Sequence, residues 1–253
     1  MDHPPENPTG SGESGNYAEY AVISQDHLAI KPQTLDYYQA AALPLVLITA
    51  WGALFDKGRL QAGETVLIHG GAGGVGHVAI QLAKQFNAQI ITTVSSQEKA
   101  DFVRNLGADE VIDYTRQDIK AEIDRLTDGQ GADLVIDTIG PDVFRASIPL
   151  TRYYGRLITL LDPGPFETQE ARKRNLLIGF ELMLAPMLKD IPNQRQHHID
   201  ILNQCKKLIE QGHIQPHISR VFPLQDAALT HTLLQQGHTS GKMVLGMTPP
   251  LYI

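Results

Sequence analysis

From Thr65 onward the chain alternates short apolar runs with apolar residues at helical spacing. Residues 65–69 run apolar into a cluster of glycines. Val75, Ala79, Leu82 and Phe86 then recur on one helical face, and residues 89–94 read as a strand. This predicts one strand–helix–strand unit of about thirty residues. The pattern repeats as a helix over 97–106 closed by Gly107, a strand at 110–113, and a helix with Ile119, Ile123 and Leu126 on one face. A strand at 134–137, a helix over 141–150, a strand at 156–161 and a sixth strand over 176–184 follow. Parallel strands need crossover helices, so the expectation is an α/β fold with a doubly wound parallel sheet in the order 3-2-1-4-5-6.

The flanks lack this regularity. Residues 1–16 are rich in Pro, Gly, Ser and Glu and predict a loose segment, because so little apolar surface cannot offset the entropy of ordering. Residues 17–30 alternate loosely around Tyr20, Val22 and Ile23 and predict one or two short strands. A helix over 36–43 interrupted by Pro44 and a second over 47–57 lead to the turn at Gln61-Ala62-Gly63. After the sixth strand come an amphipathic helix at 194–211, a strand at 217–222, a helix at 224–236 and a terminal strand at 242–246.

The glycine cluster His69-Gly70-Gly71-Ala72-Gly73-Gly74-Val75-Gly76 carries the clearest chemistry. A pyrophosphate needs backbone donors at close range, and glycines let the chain turn and approach with no Cβ in the way. Gly71-x-Gly73-x-x-Gly76 follows a predicted strand and opens a predicted helix, the context of a Rossmann dinucleotide site. No acid ends the second strand to hold a ribose hydroxyl. The strand runs Thr92-Thr93-Val94-Ser95-Ser96 with Lys99 one turn on, which places hydroxyls and a cation where a 2′-phosphate would lie and favours NADPH over NADH. The competing reading is that Ser95 only caps the helix and Lys99 is solvated.

Composition narrows the alternatives. The net charge of -7 offers no general attraction to nucleic acid or to anionic lipid. The longest apolar run, residues 40–55, contains Pro44, Thr49 and Gly52 and is shorter than the roughly 18 to 20 residues that span a bilayer, so no membrane association is expected. No signal peptide pattern opens the chain, and the expected location is cytoplasmic. Cys205 is the single cysteine, which rules out an intrachain disulfide and a thiolate zinc cage, and no metal is expected. The ten histidines include no His-Glu-x-x-His, and the His197-His198 pair reads as surface. Asp137 ends a strand beside the expected cofactor cleft and reads as a cap or turn residue. No catalytic residue is assigned.

Several stretches stand in a fixed order along the chain: Tyr17-Ala18-Glu19-Tyr20, Ala40-Ala41-Ala42-Leu43-Pro44, Thr49-Ala50-Trp51, and Ala62-Gly63-Glu64 running into the glycine loop. Gly107-Ala108-Asp109, Val111-Ile112-Asp113-Tyr114, Asp137-Thr138-Ile139-Gly140 and Gly241-Lys242 follow. In these residues and this order the chain resembles the medium-chain dehydrogenase/reductase superfamily, in particular its zinc-independent quinone oxidoreductase branch. The resemblance implies that Gly70, Gly71, Ala72, Gly73, Gly74, Val75 and Gly76 hold the pyrophosphate of NADP(H), and that Ser95, Ser96, Lys99 and Tyr114 surround the 2′-phosphate. Thr49, Ile139, Gly140, Leu160 and Leu161 would border the nicotinamide. It further implies a homodimer paired through the 176–184 edge strand, and a small-molecule acceptor, a quinone or an α,β-unsaturated carbonyl.

Family members begin with a GroES-like β-domain, and the resemblance starts partway through it, roughly 80 residues in. The expected organisation is a partial GroES-like segment at 1–45, a Rossmann domain at 46–188 and a segment at 189–253 returning to the first domain. Two further hypotheses stand beside the leading one: a nucleotide-binding but catalytically impaired protein, and an enzyme of the zinc alcohol dehydrogenase type.

Overall fold

Asp36 opens the first helix with a reciprocal cap: its carboxylate accepts from the Gln39 amide (2.7 Å), and the Gln39 side chain accepts from the Asp36 amide (3.0 Å). The computed structural model describes residues 16–237 and 239–247. The Pro/Gly/Ser-rich opening over residues 1–15 lies outside them.

Helix α1 (Tyr37–Ala41) precedes α2 (Pro44–Trp51), and α2 widens into a π-helical turn over Gly52–Lys57. Pro44 therefore starts a helix instead of only interrupting one, since a first-turn proline has no amide bond to lose. The alternating part follows as β1 (Thr65–Ile68), α3 (Gly76–Gln85), β2 (Gln89–Val94), α4 (Gln97–Asn105), β3 (Glu110–Asp113), α5 (Ile119–Leu126) and β4 (Ala132–Asp137). Next come α6 (Pro141–Ser147), β5 (Thr151–Thr159), α7 (Gln169–Lys173), β6 (Leu177–Phe180), α8 (Ala185–Leu188) and α9 (Pro192–Glu210). The chain closes with β7 (Ile218–Pro223), α10 (Ala227–Gln236) and β8 (Lys242–Gly246).

The chain divides into two compact units, residues 49–182 and residues 1–48 with 183–253. The first holds a six-stranded sheet in the order β3-β2-β1-β4-β5-β6, with every pairing parallel. This is the Rossmann order. On one face Leu67, Ile91, Ile112, Val135 and Leu157 pack with Ile123, Phe144 and Ile148 from the crossover segments. Their sequence neighbours Val66, Ile68, Ile90, Leu134, Ile136 and Ile158 are equally buried on the other face. A parallel sheet covered on both sides needs such near-continuous apolar strands. The edge strand β6 is shorter than the predicted 176–184. Only its four residues pair with β5, and Leu177, Phe180 and the following Leu182 stay exposed.

In the second unit β7 and β8 form a two-stranded parallel sheet. Helix α9 turns a stripe of His198, Ile201, Cys205 and Ile209 inward. The short 3-10 turn Gln25–His27 packs on α9, and the Gln33 amide donates to Glu210 Oε1 (3.0 Å). Residues 17–30 do not form the predicted strands. A strand needs a ladder partner, and among the described residues nothing pairs with them. Tyr20, Val22 and Ile30 are instead 73, 91 and 76 % exposed. His198 is buried, contrary to the surface reading, while His197 is half-exposed.

Candidate functional site

In a parallel sheet of this order the strands deliver their following loops to one edge, and every sequence-predicted site residue except Thr49 stands on such a loop or the helix turn after it. Past β1, the His69 amide still donates to Ile136 O (3.0 Å) before Gly70 turns away at φ +67°. Gly71 N donates to Thr93 O (3.2 Å) and Gly73 N to Gly70 O (2.9 Å), so the loop folds back on itself. The Gly73 carbonyl is held from the other side by the His77 amide (3.1 Å) and lies 3.0 Å from His77 Nδ1. The tip residues Gly73, Gly74 and Val75 are half-exposed, and α3 begins at once with no side-chain cap. Among the described residues the amides of Gly74, Val75 and Gly76 have no backbone acceptor. Unsatisfied amides at the positive end of a helix form an anion cradle.

The glycines differ in what they make room for. A Cβ on Gly71 would run into the Thr92 side chain, and one on Gly76 into Gly70 O, so these two serve close packing of strand, loop and helix. A Cβ on Gly73 would meet only Gly70 O, at 3.1 Å. Gly73 is the glycine that keeps the outer side of the loop clear.

His69 anchors this turn, a role its position before the glycines did not announce. Its Nε2 lies 3.0 Å from Ser147 Oγ, which donates its own proton to Val143 O (2.7 Å). Ser147 must then accept, so Nε2 carries the imidazole proton. Nδ1 is left to accept from Thr93 Oγ1 (3.3 Å), which in turn accepts the Gly70 amide (3.1 Å). Every proton in the chain Gly70–Thr93–His69–Ser147–Val143 is used. Burial drives the His69 pKa down to about 4, against an opposing pull from the Asp137 carboxylate, and the ring stays neutral.

At the end of β2, Ser96 rather than Ser95 caps α4, accepting the Lys99 amide at 3.3 Å. Ser95 is thereby left to face Lys99, whose Nζ donates to its hydroxyl (3.2 Å). Lys99 is half-buried and has no carboxylate partner among the described residues. Tyr114 follows β3; its amide donates to Val94 O (3.1 Å), which sets it beside Ser95, and its ring is half-exposed. The nearby acid, Asp113, is occupied: Thr115 donates to it through Oγ1 (2.7 Å) and its amide (3.0 Å), holding its pKa below the usual carboxylate value, and Arg116 Nε lies 3.7 Å away.

The loops after β4 and β5 meet next to the glycine loop. Asp137, fully buried, accepts the amides of Ile139 (2.9 Å) and Gly140 (3.1 Å) on one oxygen and the Thr159 hydroxyl (2.9 Å) on the other. Of the cap or turn role expected of it, this is the turn; α6 has no side-chain cap. Thr138 Oγ1 donates to His69 O (2.8 Å), and Leu160 N to Asp137 O (3.1 Å). Ile139 flanks Gly70, and Leu161 flanks Gly140, which takes φ +134°. Ile139 and Leu161 expose about half their surface there. Thr49 is buried on α2.

A dinucleotide fits this edge: an anion cradle at its centre, a free cation with hydroxyls on one side, and apolar surface on the other. Zinc does not fit. Among the described residues no group of three or more His, Cys, Asp or Glu could hold a metal, and burial pushes the Cys205 thiol up to about 12.

Residues 106–245 match the family model described as zinc-binding dehydrogenase. A quinone oxidoreductase of Pseudomonas aeruginosa is 35% identical over 240 residues, covering 93% of this chain and 72% of that protein. Two solved structures superpose with a TM-score of 0.82. One is an alcohol dehydrogenase superfamily protein from Novosphingobium aromaticivorans, 32% identical, with 90% of this chain and 68% of that one covered. The other is the Escherichia coli quinone oxidoreductase complexed with NADPH, 26% identical, with 90% and 71% covered. The chain therefore belongs to the zinc-binding dehydrogenase family, within the medium-chain dehydrogenase/reductase superfamily of NAD(P)H-dependent oxidoreductases, and is quinone oxidoreductase-like.

Proposed function

We propose that this chain binds NADPH and reduces a quinone or an α,β-unsaturated carbonyl. The observation that carries the cofactor choice is Lys99 reaching back to Ser95 at the end of β2, where the strand itself ends on no acid and the neighbouring Asp113 is occupied by Thr115. In this reading Gly70 to Gly76 hold the pyrophosphate with Ala72 and Val75 as loop backbone, while Ser95, Ser96, Lys99 and Tyr114 hold the 2′-phosphate. Thr49, Ile139, Gly140, Leu160 and Leu161 shape the nicotinamide end. Bound there, the nicotinamide supplies a hydride, and the acceptor takes its proton from solvent. The protein's part is orientation, which alone is worth several kcal/mol of barrier. Similarity to the P. aeruginosa and E. coli quinone oxidoreductases supports a quinone as acceptor.

Oxidation of NADPH followed at its reduced-nicotinamide absorbance, against a panel of quinones and enones, tests the reaction. Turnover with at least one acceptor is expected, and none with any acceptor contradicts it. One observation favours a second reading, a nucleotide-binding protein with an unfinished acceptor site: the exposure of Tyr20, Val22 and Ile30. NADPH binding without turnover on the same sample would select it. The domain division proposed is a Rossmann domain over 46–188 between two segments of a partial GroES-like domain, 1–45 and 189–253. Dimerisation through the β6 edge and a cytoplasmic location complete the proposal. Among the described residues no helix is long and apolar enough to cross a membrane.

A further inference from the structure

One buried carboxylate at the same sheet edge has no task in this scheme. Glu181 directly follows β6, and its amide donates to Thr159 O (3.0 Å). Phe180 pairs with Thr159, so Glu181 comes one residue past that pair, beside Leu160. The residue is 9 % exposed. A Cβ built on Gly52 would lie 2.5 Å from Glu181 Cδ and 2.5 and 2.8 Å from its carboxylate oxygens, so the carboxylate rests on bare backbone.

The helix is shaped around this contact. Gly52 begins the π-helical turn, where Gly58 N donates to Ala53 O (3.1 Å), five residues back. Such widenings concentrate at functional positions. Thr49 lies one turn before Gly52, on the same side of the helix. Gly179, two residues before Glu181 and on the same strand face, lies against Lys57 Cβ, so this face of β6 and this turn are in register. Here the chain keeps the carboxylate and omits a side chain at Gly52 to accommodate it.

We infer that Glu181 is a specificity-determining residue of the nicotinamide end, where its carboxylate favours the oxidised, cationic ring over the reduced, neutral one. The inference rests on the nicotinamide placement proposed above. A fixed negative charge at that end acts on the oxidised ring and not on the reduced one, because only the oxidised ring carries the positive charge. Selective stabilisation of NADP+ makes the bound couple a stronger reductant.

The test is to titrate NADPH and NADP+ separately into the wild type, Glu181→Gln and Gly52→Ala. Glu181→Gln removes the charge and keeps the shape; Gly52→Ala keeps the charge and displaces it. Both are expected to raise the ratio of the NADP+ to the NADPH dissociation constant by roughly threefold or more. Should one variant fail to fold, the other decides. A ratio equal to that of the wild type overturns the inference, whether both affinities fall together or neither changes. A wild type that binds neither nucleotide overturns the proposed function, and this inference with it.

Discussion

The two units differ in how fully their apolar segments are covered. Between residues 49 and 182 the central strands β1, β2 and β4 are buried on both faces, and each parallel partner is supplied within the unit. In the other unit Tyr17, Tyr20, Val22, Leu28 and Ile30 lie at the surface, and residues 17–30 have no ladder partner among the described residues. The difference separates a unit whose sheet supplies all its own partners from one with an apolar segment at its surface. Every group assigned to the cofactor, from Thr49 to Leu161, lies in the self-sufficient unit. Binding is thus the better supported half of the proposed function, and acceptor reduction the more demanding half.

The strongest way to break this comparison is through the glycine that packs the loop. Gly76→Ala sets a Cβ into Gly70 O and Gly71 Cα and should cost on the order of 3 kcal/mol in urea unfolding, with loss of NADPH binding. If stability were unchanged, the close packing of β1 and α3 would be misread. The contribution of His69 is comparable but depends on pH. The folded chain holds the ring neutral with a pKa near 4 against an ordinary 6.5, so the unfolded chain takes up the proton first. This stability is present in full above about pH 6.5 and is lost as the pH falls toward 4, by about 3 kcal/mol. Unfolding free energies measured at steps between those limits should show the slope in the wild type and a flatter one in His69→Gln.

Gly73→Ala sharpens the contrast between packing and ligand glycines. Its Cβ meets only Gly70 O at 3.1 Å, so unfolding should change little while NADPH affinity falls by about tenfold, or 1.4 kcal/mol. Equal effects at Gly73 and Gly76 would erase the distinction. The smallest effect on binding is expected at the exposed edge: Leu177→Glu with Phe180→Glu should turn a sedimenting dimer into a monomer and leave NADPH affinity within about twofold. A monomeric wild type would remove the dimer from the account.

The sheet was legible in the sequence because each strand is bounded by local signals, such as the glycines after Ile68 and Gly107 before Glu110. β2, β3 and β8 match their predicted bounds, and the order 3-2-1-4-5-6 is the observed one. Residues 17–30 were misread because alternation reports a face to be covered and says nothing about whether a partner strand exists. Spacing also identified the cation and hydroxyls at Lys99 and Ser95, and the competing reading of Ser95 as helix cap gives way because the cap is Ser96. It could not find His69 or Glu181. Their roles depend on Ser147, 78 residues away, and on Gly52, far across the chain, and no local pattern encodes such meetings.

The central claim is that the self-sufficient unit holds NADPH through the glycine loop and Lys99. Its most direct test is calorimetric titration of NADPH and NADH into the wild type and into Lys99→Ala. The account predicts that the wild type prefers NADPH and that the substitution weakens NADPH by about ten- to a hundredfold while leaving NADH unchanged, as loss of a charge-assisted phosphate contact requires. Equal affinity of the wild type for the two nucleotides, or an equal loss of both in the variant, would contradict it.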